Sequence, residues 1–237
     1  MKLMAAGDQV LVAEFGDRID EAVNDQVHAL AAKIEEQQIP GIGEVVPTFR
    51  SLLIYYDSYQ LSYREAAGKI EELARNLKTE QKTKKRILKI PCCYGARFGP
   101  DLADMEQLTG LDRKEMIDIH SSVDYKVYML GFLPGFAYLG GLDERIHVPR
   151  LKSPRRKISR GAVGIGGSQT GIYPMDSPGG WRLMGETPID MYDPNREQPI
   201  LVQAGDYIRF VPITIMDYYD IRRAVLDGKY QIEVTEE

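Results

Sequence analysis

The run Gly166-Gly167-Ser168-Gln169-Thr170, with Tyr173 three positions on, sets unobstructed backbone amides beside the hydroxyls of Thr170 and Tyr173. Successive amides of this kind can form a concave nest for a carboxylate or phosphate oxygen, with Thr170 and Tyr173 as further donors. Tight hairpins in a β-barrel would produce the same residues. A cationic stretch precedes the run: Lys152, Arg155, Arg156, Lys157 and Arg160, with Pro149 and Pro154 stiffening the backbone around it. An arginine fork grips a carboxylate or phosphate through two bonds, as lysine does not, which singles out Arg155 for an anion contact. A solvated loop is the alternative.

His120 stands in the sequence IHSS at the end of a helical pattern, where the helix dipole favours imidazolium and raises its pKa. It is a general acid/base candidate with Asp124 near enough in sequence to orient it, or else an ordinary helix-end histidine. Phe132, Pro134, Phe136 and Trp181, interleaved with Gly131 and Gly135, read either as a rigid pocket wall or as core.

Several chemistries lack a signal. No GxxxxGK[ST] occurs, the GxGxxG register fails at Gln169, and no GxSxG surrounds Ser168. Cys92 and Cys93 are neighbours, a poor geometry for a disulfide, and read as buried thiols at a strand end. His28, His120 and His147 are far apart, with no metal-ligand spacing, so no protein-bound metal is expected.

The elements that must position these residues fall into two groups. Val10–Phe15 reads as a strand, and Val23, Val27, Leu30 and Ile34 recur at helical spacing within 20–38. Strands at 44–46 and 52–56, a helix from Tyr63 to Leu77 capped by Ser62, and a strand Ile87–Cys92 would complete β-α-β-β-α-β. That order predicts a split β-α-β, ferredoxin-like sandwich over residues 1–90, with the Lys78–Arg86 run as a solvated connection. Beyond it, over 91–237, come short helices at 101–108 and 113–121. Short strands follow at 125–130, 162–165, 170–173, 181–184, 200–202 and 207–211, with a terminal helix at 221–227. Many short strands with few helices predict a barrel or sandwich, so the fold class is α+β.

Composition bounds the partners. The 237 residues are 43% hydrophobic and 27% charged, with no long uncharged apolar run and no signal-like segment at the start, which predicts a cytoplasmic protein without membrane contact. A net charge of -5 disfavours nucleic acid, yet residues 131–180 hold seven Lys/Arg against three acids, a local excess that suits a small anionic ligand. The same stretch holds half of the chain's 22 glycines, a density that predicts loops shaped for close contact.

Longer blocks carry a resemblance: GDQVLVAEFGDRID, VPTFRSLLIYYD, PCCYGARFGPDL, VYMLGFLPGFAYLGGL, PRLKSPRRKISRGAVGIGGSQTGIYPMDSPGGWRLMGETPI and AGDYIRFVPI. They resemble the 5-oxoprolinase B-subunit (PxpB) family, which includes the kinase A inhibitor KipI and is also called allophanate hydrolase subunit 1. The resemblance spans nearly the whole chain. It implies an N-terminal α/β domain followed by a cyclophilin-like β-barrel. It also implies a subunit that works with PxpA-like and PxpC-like partners to convert 5-oxo-L-proline to L-glutamate with ATP, the nucleotide being used by the complex and not held by this chain alone. The ligand would then be a cyclic amide, or its acyl phosphate. Two alternatives attach to the same family: inhibition of a sporulation histidine kinase, and a urea- or allophanate-pathway module. Glu186, in GETPI, departs from the family pattern, where arginine is common, and sets an acid near the expected pocket rim.

Overall fold

The helical spacing at the start of the chain is realised in the computed structural model, which describes residues 1–77 and 85–236. After β1 (Lys2–Ala5) and β2 (Val10–Glu14), α1 spans Glu21–Gln37 and buries Val27, Leu30, Ala31 and Ile34. Asp20 caps it by accepting from the Ala22 and Val23 amides, and Gln38 ends it in the left-handed region at φ 41°. β3 (Ile42–Pro47) and β4 (Ser51–Tyr56) form a hairpin, and α2 (Tyr63–Arg75) starts with a capping box between Ser62 and Glu65. The sheet order is β1-β2-β4-β3, antiparallel throughout, so β4 lies between the two strands that α1 connects. Leu11, Ala13, Leu52, Ile54 and Tyr56 alternate inward to meet both helices.

The strand expected at Ile87–Cys92 as the last of this sheet is elsewhere. It is the centre of β5 (Arg86–Tyr94), and the fourth place in the N-terminal sheet belongs to β1, which hairpins with β2. The physical reason is visible in burial: Leu88, Ile90, Cys92 and their neighbours Ile87, Pro91 and Cys93 are buried on both faces, which suits a barrel strand and not an edge of a two-layer sandwich. Accordingly the chain divides into compact units at Met1–Thr83 and Lys84–Glu237. Most of the connection expected to be solvated, residues 78–84, lies outside the described residues.

In the second unit β5 is followed by α3 (Leu102–Thr109), α4 (Arg113–Ser121), β6 (Asp124–Leu130) and β7 (Ala137–Gly140). Then come β8 (Arg155–Ile158), β9 (Ala162–Gly166), β10 (Gln169–Ile172), β11 (Ser177–Gly179) and β12 (Arg182–Glu186). β13 (Tyr207–Pro212), α5 (Ile215–Leu226) and β14 (Glu233–Glu236) complete it. Pairing runs β12-β9-β10-β7-β6-β13-β5, and β12 returns to β5, closing a seven-stranded barrel consistent with a cyclophilin-like one. β14 flanks the first half of β5, while β8 and β11 form a separate ribbon. The fold is therefore mixed α+β. The strand expected at 200–202 is not formed: Ile200 makes a single bridge to Tyr192. The last helix begins six residues earlier than its apolar spacing suggests, because Thr214 and Asp217 form a capping box.

Candidate functional site

His120, in the last turn of α4, points into the barrel and has no exposed surface. Its Nδ1 is 2.8 Å from the Tyr94 hydroxyl and its Nε2 is 2.8 Å from the Thr170 hydroxyl. Thr170 donates its one proton to the Gly164 carbonyl at 3.1 Å. A carbonyl only accepts, so Thr170 must accept from Nε2–H, Nδ1 carries the lone pair, and Tyr94 O–H donates to it. Phe210 and Tyr125 pack against the ring at centroid distances of 4.5 and 5.3 Å, and the Tyr125 hydroxyl donates to the His120 carbonyl at 2.9 Å.

Burial drives the His120 pKa down to about 3, so the imidazole is neutral. This reverses the rise expected from the helix dipole: loss of water around the charged form outweighs the dipole of a nine-residue helix. Asp124 does not orient it. That carboxylate takes both Nε and Nη2 of Arg209 at 2.5 Å. With both ring nitrogens engaged and no surface, His120 can hold Tyr94 and Thr170 in place, while a substrate atom has no approach to it.

The glycine run is a hairpin turn. Gly166 pairs with Gln169 across Gly167 and Ser168, and Gly167, at φ 71°, gives its amide to the Val148 carbonyl at 2.8 Å. Of the two readings of this run, the geometry is that of the hairpin, with one amide of the expected nest already engaged. Gly166 is required by a close approach: a Cβ there would lie 2.3 Å from Trp181 Nε1. Trp181, Phe136 and Tyr173 are buried together, with ring centroids 5.6 to 6.2 Å apart and edge-on. Burial also pushes the Tyr173 hydroxyl pKa up. These three form a satellite core: the pocket wall expected of Phe136 and Trp181 is filled by their own rings, together with that of Tyr173, which was expected as a hydroxyl donor. Ser168 and Gly167 are exposed at the turn's tip.

Arg155 already has a carboxylate. Its Nη2 is 2.6 Å from Asp101 Oδ1, and Asp101 Oδ2 accepts from the Leu183 amide at 2.7 Å. The pair ties the ribbon to the start of α3 and to β12. Lys157 meets Asp176 at 2.6 Å, and Arg160 meets Asp190, so three members of the cationic stretch are internally paired. Glu186 accepts from the Tyr218 hydroxyl. The sequence did not single out Asp101 or Tyr94; each is distant in the chain from the residue it serves, and helix-start and strand-end positions were their only local signals.

One part of the expected wall remains open. Phe132 is 63% exposed, and Pro134 is exposed beside it. Phe132 sits at φ 69°, with the Leu133 amide donating to the Gly131 carbonyl at 2.8 Å. That is a γ-turn with a positive-φ centre, strained for a residue with a Cβ. A shallow groove of about 370 Å³, lined by residues 130–135 and Ile200, adjoins it. A second, of about 400 Å³, lies in the N-terminal unit along Gly41–Gly43 and Tyr55–Asp57. Among the described residues no group of His, Cys, Asp or Glu is arranged to hold a metal ion, and no helix is long and apolar enough to cross a membrane.

Residues 1–202 match the family model described as carboxyltransferase domain, subdomain C and D. The 5-oxoprolinase B-subunit of Bacillus subtilis (strain 168) is 44% identical over 223 residues, covering 90% of this chain and 93% of that protein. The crystal structure of TTHA0988 superposes with a TM-score of 0.77 at 34% identity; the match covers 86% of this chain and 40% of that longer one. Urea amidolyase of Saccharomyces cerevisiae is more distant, at 25% identity over 263 residues, and this chain corresponds to 14% of it.

Proposed function

The chain belongs to the carboxyltransferase domain, subdomain C and D, family, and from that premise we propose that it is the PxpB component of an ATP-dependent 5-oxoprolinase. In this reading it acts only with PxpA-like and PxpC-like sister subunits, in the cytoplasm. The observation that carries it is the 44% identity to a 5-oxoprolinase B-subunit over nearly the full length of both. We read the two units as separate domains, the first a variant of the split β-α-β sandwich and the second cyclophilin-like.

The reaction opens the lactam of 5-oxo-L-proline to L-glutamate. A lactam carbonyl is a poor electrophile, so coupling to ATP makes sense as transfer of the terminal phosphoryl group to the carbonyl oxygen with release of ADP, after which water adds, the ring C–N bond breaks with the nitrogen taking a proton, and inorganic phosphate leaves. Such a site needs donors for the developing negative charge and a cation for the substrate carboxylate. The Gly166–Gln169 hairpin does not fit a nucleotide phosphate, since the Gly167 amide is engaged and Gly166 faces Trp181. The nucleotide step is therefore assigned to a sister subunit. His120 and Thr170 serve the site from behind, holding the β9–β10 hairpin, and Arg155 does the same for the ribbon. Contact with substrate falls to the turn at Ser168, exposed, and Gln169, half-buried, and contact with a sister subunit to the Phe132–Pro134 loop. Backbone strain under an exposed aromatic supports that second assignment.

The test is 5-oxoproline-dependent ATP hydrolysis by the purified chain mixed with its sister subunits. Hydrolysis by the full mixture and none by this chain alone is expected. An intact complex without it would remove the reading; turnover of linear ureas instead would point to a urea-pathway module, and slowed autophosphorylation of a histidine kinase to an inhibitor.

A further inference from the structure

Helix α5 is held to the barrel unit chiefly by one side. Tyr218 is buried against Phe98 and donates to Glu186, and Arg222 Nη1 lies 3.0 Å from both oxygens of Asp190. On the opposite side Met216 is 71% exposed and Leu226 69%, and Tyr219, with the Arg97 guanidinium 5.2 Å over its ring, is 43% exposed. With Arg223, these residues recur at intervals of three, four and three, the spacing of a stripe made for another helix. Large apolar side chains set out in a line on a surface mark a contact.

Two charges decide which contact. Asp220 and Arg223 share this face, and neither carries an ion pair among the described residues. We propose that the outer face of α5 is an interface between two copies of this chain, packed antiparallel about a two-fold axis. At about 1.5 Å rise per residue, an axis near Ile221 and Arg222 sets Asp220 of one copy opposite Arg223 of the second, and symmetry repeats the pair in reverse. The same axis brings Met216 alongside Leu226 of the second copy, to within about 1.5 Å along the helix. A parallel pairing would instead oppose Asp220 to Asp220. The stripe is complementary to itself in one direction only. A helix of 12 residues is about 18 Å long, so the contact falls below the size of a permanent interface and the dimer is weak and concentration-dependent.

Sedimentation velocity from micromolar to near-millimolar concentration tests this. The wild-type chain is expected to move from monomer toward dimer, less so in high salt. Asp220→Arg and Arg223→Asp each oppose like charges across the axis and should weaken association about tenfold or more. An equimolar mixture of the two single variants should dimerise again, because each then supplies the charge the other lacks, and the double variant should do the same. Far-UV circular dichroism checks that the surface substitutions leave the fold unchanged. A wild-type chain monomeric throughout, single variants that associate as well as wild type, or a mixture that fails to recover would each overturn the proposal. So would single variants that instead lose a sister subunit from the assembled complex, which would give the face to that subunit.

Discussion

Gly166 and Gly131 belong to the same glycine-rich segment and meet opposite surroundings. Gly166 lies beneath Trp181, where an added Cβ would be 2.3 Å from the indole nitrogen. Gly131 opens a loop whose next residue, Phe132, stands largely in solvent at φ 69°, and a Cβ on Gly131 would meet nothing closer than 3.5 Å. One stretch uses missing side chains to let a barrel wall and an indole touch; the other uses them to turn the chain and present an aromatic ring. Glycine density marks close contact in both, yet with the protein's own residues in one and with solvent in the other. The polar groups divide similarly. His120 and Arg155 are turned inward onto internal partners, whereas the Ser168 tip and the Phe132–Pro134 loop face outward.

The largest effect that would test this division comes from acid. An unfolded histidine titrates near 6.5 and folded His120 at about 3, so below pH 6.5 the unfolded chain takes up a proton that the folded one refuses. Stability from this group is intact above pH 6.5 and is lost as pH falls toward 3, by about 1.4 kcal/mol per unit and on the order of 4 kcal/mol by pH 3.5. Urea midpoints measured across that range should show a slope that His120→Gln reduces. An unchanged slope would mean that His120 is not buried neutral.

Next in size is Gly166→Ala, expected to cost about 3 kcal/mol because neither backbone nor indole has room to move. Gly131→Ala should cost less than about 0.5 kcal/mol, and equal losses in paired denaturation curves would erase the contrast. Arg155→Ala strands the Asp101 carboxylate, 7% exposed, and should cost about 2 kcal/mol, since the arginine itself is partly solvated. The KM of the assembled complex should stay unchanged; a raised KM with unaltered stability would make Arg155 a substrate contact. The smallest effect on stability is that of Phe132→Gly, which relieves the strained φ and loses an edge contact with Phe136 at 5.7 Å, a balance within about 0.5 kcal/mol. Its effect should appear as weaker binding to a sister subunit, read by calorimetric titration.

What could be read from the chain alone follows from how local each signal is. The spacing of Val27, Leu30 and Ile34 and the cap at Ser62 are contained within single helices, and both helices form where that spacing puts them. The run Ile87–Cys92 was legible as a strand, but its neighbours are β13 and β14, both far further along the chain, and nothing within the run says which sheet will take it. His120 is the same case at the scale of a side chain. Its place at a helix end speaks for a cation, while its depth, set by Tyr94, Thr170 and Phe210 from three strands, makes it neutral. Arg155 was visible as a fork for a carboxylate; that the carboxylate is Asp101, 54 positions earlier, was not.

The most direct measurement follows L-glutamate formed from 5-oxo-L-proline and ATP by the sister subunits, with and without this chain. Release that requires all the subunits together, and that is absent when this chain is left out or supplied alone, is the expected result. Full release without it, or none from a complex shown to be assembled, would contradict a role as the PxpB component.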